Sequence, residues 1–74
     1  MIIRSQDKKK IYNFEQIRKI DCETNSVMAD DVSVMGTYST EEKAIKVLDM
    51  IENACRNIAF TDGTVFHMPQ DSEV

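Results

Sequence analysis

Few residues in this chain could do chemistry: two cysteines (Cys22 and Cys55), one histidine (His67), a lysine run at 8–10, and the stretch "VMGTYSTEEKA" at 34–44. A glycine, small hydroxyl residues and a helix-like run outline a loop whose backbone N–H groups could cradle a phosphate. Such loops carry glycines at several positions, and the Walker type adds a lysine directly after the last one. Here Gly36 stands alone, and Tyr38 occupies a place where backbone should approach the ligand. Glu41 and Glu42 would repel a phosphate at that helix start. Capping accounts for every residue instead. The helix starts at Ser39 or Thr40, with Ser39 a suitable N-cap and Glu42 three residues on, at capping-box spacing. The stretch reads as a strand turning into a helix.

Nucleophilic catalysis needs an activated nucleophile, a base and an orienting group. With one histidine, beside Met68-Pro69, the spacing offers no Cys-His or Ser-His-Asp set. Cys55 falls on the apolar stripe of the expected helix and Cys22 on a strand face, where each reads as a small core residue. A structural zinc takes four ligands in paired spacings, which these scattered residues do not supply. Asp30-Asp31 reads as a solvated turn rather than part of a hard-cation site. No catalytic residue, metal or cofactor is expected, and the chain is read as a non-enzyme.

Charge points to protein contacts. The chain carries 13 acidic and 9 basic residues, a net −4, whereas nucleic-acid binders lean basic because phosphate neutralisation supplies most of their affinity. Nucleic acid is therefore not an expected partner. The charge is uneven, with Arg4, Lys8, Lys9, Lys10, Arg18 and Lys19 all in the first 19 residues. Arg4, Lys8, Lys10, Arg18 and Tyr38 would be the contacts for a nucleotide-like ligand if oligomerisation gathered them. Met28, Met35 and Met50 are expected to be partly exposed, and a stripe of Met35 with Met50 would be an adaptable methionine surface suited to a partner or to self-association.

These residues need elements to position them. "MIIRSQ" and "KIYNF" read as strands around the polar turn "DKKK", with one helical turn at "NFEQ", capped by Asn13, as the minor alternative. "IRKIDCET" places Ile20, Cys22 and Thr24 at period two, and "ETNS" and "ADD" are turns. "VSVMGTY" alternates with Val32, Val34 and Tyr38 on one face and Ser33, Met35 and Thr37 on the other. Gly36 falls on the valine face, and an isolated strand glycine marks a bulge or a close backbone approach. Ala44, Val47, Leu48, Ile51, Cys55 and Ile58 draw one apolar stripe on a helix over about 39–57. After the turn signal Asp62-Gly63, "VFHM" reads as a last short strand, ended by Pro69.

The expected architecture is α+β: a small antiparallel meander of three to five strands with one helix across one face. Residues 1–70 form one domain, and 71–74 a polar C-terminal tail. At 74 residues such a domain buries only about 60% of its unfolded surface. A sheet with one helix leaves its other face open, so a homodimer or other homo-oligomer is expected. No apolar run approaches the roughly 18 residues of a membrane span, and "MIIRSQDKKK" is not a signal peptide. A cytoplasmic protein with reduced thiols follows.

"MIIRSQDKKKIYNF", "MGTYSTEEKAIKVLDMI" and "VFHMPQDSEV" resemble short proteins of prophages and mobile elements in Gram-positive bacteria. Members share an I-x-S-Q-D-K start, a G-x-Y-x-T lead into a helix and an F-x-M-P tail. The resemblance spans most of the chain, least at 21–33, and none of its words is a catalytic motif. It implies a phage or prophage accessory protein that docks on a host or phage protein. The alternative is an oligomeric module that binds or sequesters a small molecule.

Overall fold

The structure, a computed structural model, describes residues 1–56 and 65–74. Strand β1 (Ile2–Arg4) turns back antiparallel into β2 (Ile11–Asn13). Asp7 builds the turn: its Oδ1 accepts from Ser5 Oγ at 2.6 Å and from the Lys9 N–H at 2.9 Å. Lys8 is then carried at φ 66°, the left-handed region that short polar turns reach. Asn13 caps a single 3-10 turn, Phe14–Gln16, by accepting from the Glu15 N–H. The helical turn given as the minor alternative at "NFEQ" thus forms directly after the strand read at "KIYNF", which spans Ile11–Asn13.

Strands β3 (Ile20–Glu23), β4 (Ser26–Ala29) and β5 (Ser33–Thr37) make an antiparallel meander. Asp30 Oδ1 accepts the N–H groups of both Arg18 and Lys19, pinning the chain as it enters β3. The helix α1 (Glu41–Arg56) lies on β3 and β4 and buries Ala44, Val47 and Ile51. Its expected end near Asn57, the stripe residue Ile58 and the Asp62-Gly63 turn lie outside the described residues. Strand β6 (Val65–His67) runs parallel to β1, giving two three-stranded sheets in the orders β2-β1-β6 and β3-β4-β5. The α+β class, the one α-helix among the described residues, lying on one face, and the C-terminal strand agree with the sequence reading. The division into two sheets and the parallel pairing of β6 were not foreseen.

Two details correct that reading. The β4–β5 register slips between Val27 and Met28: Val27 faces Gly36, while Met28 faces Val34, leaving Met35 as the extra residue. This bulge reverses the alternation. Met35, expected outside, is 1% exposed, while Val32 and Val34, expected inside with Tyr38, are 83% and 43% exposed. Tyr38 does join the core, together with Ile3, Val27 and Met68. The helix is capped by Thr40, whose Oγ1 accepts the Lys43 N–H at 3.1 Å. The Ser39 N–H, assigned to Glu42 by the capping-box reading, donates to Asp71 Oδ1 at 2.7 Å.

The C-terminal residues form a 3-10 turn, Asp71–Glu73, held at Ser39 and by the Lys43 ammonium. No helix among the described residues is long and apolar enough to cross a membrane.

Candidate docking groove

The apolar stripe on α1 is wider than the strip of sheet it covers. Ala44, Val47 and Ile51 are used against β3 and β4, while Leu48 and Cys55 lie on the flank, half-buried. The Phe14–Gln16 turn and the segment leading into β3 stand opposite and complete a groove of about 350 Å³. Its floor is Phe14, Ile17, Ile20, Leu48, Ile51 and Cys55; Arg18, Lys19 and Glu52 form its rim. A cleft of this size, mostly apolar and with few charged groups, suits one or two large apolar side chains of a ligand.

The rim charges differ in availability. Lys19 Nζ lies 2.8 Å from Asp31 Oδ2 and 3.9 Å from Asp21 Oδ2, and this pairing pushes its pKa up. Glu52 faces Arg56 one helical turn on, at 3.5 Å. Arg18 is fixed through its backbone N–H, while its exposed guanidinium has no hydrogen-bond or ion-pair partner among the described residues. Among the described residues, the groove therefore offers an apolar floor and one uncommitted cation.

Two other groups of potentially reactive side chains lie among the described residues. Asp21, Glu23 and Asp31 bring carboxylate oxygens within 4.8 Å of one another, but the Lys19 ammonium already provides positive charge there. Burial, with Glu41 and Asp21 nearby, pushes the Cys22 thiol up, and burial does the same to Cys55. Both sulfurs thus stay protonated and poorly nucleophilic at neutral pH, packed against the core as their positions suggested.

The residues proposed from sequence as contacts are dispersed. Arg4 sits on β1 with Nε and one terminal nitrogen donating to the Lys8 carbonyl, which closes the turn over the basic run. Lys8 and Lys10 are exposed on that turn. Tyr38 is 2% exposed, and its hydroxyl donates to the Pro69 carbonyl at 2.9 Å. Met35 is buried, which removes the proposed exposed pair with Met50; Met50 is exposed on the helix. Arg18 alone of this set lines the groove. Of the floor residues, the sequence reading places Leu48, Ile51 and Cys55 on one apolar helix stripe and Ile20 on a strand face, and gives Phe14 and Ile17 no place in a site; the stripe's width was the signal that Leu48 and Cys55 stand beside the sheet.

The first sheet has a second apolar feature. Its register puts Ile3, Tyr12 and Phe66 side by side toward the core, leaving Ile2, Ile11 and Val65 on the open face with Arg4 and His67. Ile11 is 64% exposed there.

Comparison with known proteins returns no matching family model, no matching curated sequence and no matching solved structure.

Proposed function

We propose that this protein is a non-enzymatic interaction module that docks on a protein partner through the groove between α1 and the segment leading into β3. The supporting observation is the juxtaposition of an apolar floor with the Arg18 guanidinium, which has no partner among the described residues. The matching partner segment carries large apolar side chains for the floor and a carboxylate for Arg18. The resemblance to prophage proteins supports an accessory role, with a host or phage protein as the partner. A small-molecule site has weaker support, since neither the groove nor the clefts at Met1–Glu15 and at Gln6–Thr37 are lined by more than one of Arg4, Lys8, Lys10, Arg18 and Tyr38.

Selection from a random-peptide display library against the full chain tests this reading. Enriched peptides should pair apolar anchors with an acidic residue. Leu48→Asp should weaken them at least tenfold, since burying one large apolar side chain is worth about 1.5–3 kcal/mol. Arg18→Glu, at an exposed position that leaves packing intact, should weaken them about tenfold. No enrichment, or binding indifferent to both variants, refutes the reading.

Self-association has its own support in the open face of the first sheet, where Ile11 and Val65 are exposed. Sedimentation equilibrium should then detect a dimer that Ile11→Lys dissociates; an unchanged mass in both proteins would exclude that face.

A further inference from the structure

Beside the groove runs a strand edge. In an antiparallel pair, residues alternate between those that exchange hydrogen bonds with the partner strand and those whose N–H and C=O point away. The Asp30 N–H donates to the Lys19 carbonyl at 2.8 Å, which sets the phase of the β3–β4 ladder. With the observed register, Asp21 faces Met28 and Glu23 faces Ser26 as bonded pairs. Ile20 and Cys22 therefore direct their backbone groups away from β4. Among the described residues no other strand borders β3, and none bonds these outward groups. The other edge of this sheet is closed: the Met35 carbonyl accepts the Gln6 N–H, and the Thr37 N–H donates to Gln6 Oε1. The Ile20 side chain lines the groove, and Cys22 packs against the same core that α1 covers.

We infer that the partner segment docks as an added β-strand on the outer edge of β3, with alternate side chains seated in the groove. The inference rests on the docking reading above and names its ligand class: an extended peptide with apolar residues two apart, ending in a carboxylate that meets Arg18. Strand addition fits because main-chain hydrogen bonds supply affinity while pockets for alternate side chains supply specificity. A helix laid in the same groove would leave the outward N–H and C=O groups of Ile20 and Cys22 unpaired, and burying them so is costly.

Display-selected peptides, titrated into the full chain and followed by amide hydrogen exchange, test the inference. Strand addition slows exchange at Ile20 and Cys22 well beyond any change at Asp21 and Glu23, which β4 already protects. N-methylation along the peptide should weaken binding about threefold to tenfold at alternate positions only. Cys22→Pro, which removes an outward N–H while sparing the β4 ladder, should weaken it similarly. If Leu48→Asp and Arg18→Glu weaken binding tenfold or more but exchange at Ile20 and Cys22 is unchanged and N-methylation is tolerated throughout, strand addition is overturned and the groove survives. If no peptide binds, or none responds to the groove variants, both readings fall together.

Discussion

Removing one oxygen atom from the core should change both the stability of this protein and its response to alkali. Tyr38 packs on Gly36 and donates its hydroxyl to the Pro69 carbonyl at 2.9 Å, tying the end of β5 to the chain that follows β6. In Tyr38→Phe that carbonyl keeps only a long contact from Gln6 Nε2 at 3.4 Å. A net hydrogen bond contributes about 0.5–1.5 kcal/mol, and an undersatisfied buried carbonyl raises the cost toward 2 kcal/mol. For a domain of this size each kcal/mol moves Tm by about 4–8 °C, so a fall of roughly 5–15 °C is expected near neutral pH. Alkali reverses the order. Burial, with Asp71 and Glu73 adding repulsion, pushes the Tyr38 phenol from 10.0 up to about 12. The unfolded chain thus releases this proton near pH 10 and the native state only near pH 12. The protection is complete below pH 10 and is lost as pH rises to 12, at about 1.4 kcal/mol per pH unit, or on the order of 2–3 kcal/mol in all. Tyr38→Phe lacks this loss, so its deficit should shrink above pH 10 and vanish or invert by pH 12. The raised Cys22 and Cys55 thiols titrate in both proteins and cancel in the difference. Urea unfolding of the two proteins from pH 7 to 12, followed by circular dichroism, reads this directly. Equal stability at pH 7, or a gap constant across the range, would refute the reasoning.

Two further outcomes follow from close contacts and local charge. In Gly36→Ala the new Cβ would stand 2.9 Å from Tyr38 Oη and 3.2 Å from Gln6 Cβ, so urea unfolding should show a loss of about 1–3 kcal/mol. The penalty should be smaller in the Tyr38→Phe background, where the nearest atom is gone. The Asp71 carboxylate is held below its ordinary pKa of 3.8 by the Ser39 N–H, with Lys43 adding. It stabilises the fold above that value, and the stabilisation is lost as pH falls through the native pKa. Asp71→Asn should be less stable at pH 7 and flatter in its acid limb. A steep acid limb retained in the variant would place the effect elsewhere.

Local signals were legible in the sequence wherever the cause is local. The apolar stripe gave the helix and "DKKK" the hairpin, while Asn13 signalled the 3-10 turn only as the minor alternative. The phase of β5 was misread because strict alternation was carried straight through Gly36, although a lone strand glycine is itself the sign of a bulge. One extra residue at the bulge exchanges inside for outside, which is how Met35 became core and Val34 surface. The Ser39 N–H went to Asp71 rather than Glu42 because its acceptor lies 32 residues away, where no spacing rule reaches. The parallel pairing of β6 with β1 is non-local in the same sense.

The groove belongs to a different class of miss, and its cause lies in the size of the domain. One helix of 16 residues covers a meander whose β3 and β4 strands have four residues each. Ala44, Val47 and Ile51 suffice to seal that strip, yet the stripe continues sideways into Leu48 and Cys55. In a larger protein another helix would cover these flanking residues. Here, among the described residues, the cover is only Phe14, Ile17 and Ile20, and space remains between them and the helix. Filling that space by Cys55→Leu would bury more apolar area within the chain and should stabilise it. It would also leave less room for a guest side chain. If the groove serves a partner, stability and docking therefore oppose each other at position 55, whereas at Tyr38, deep in the core, stability alone is at stake.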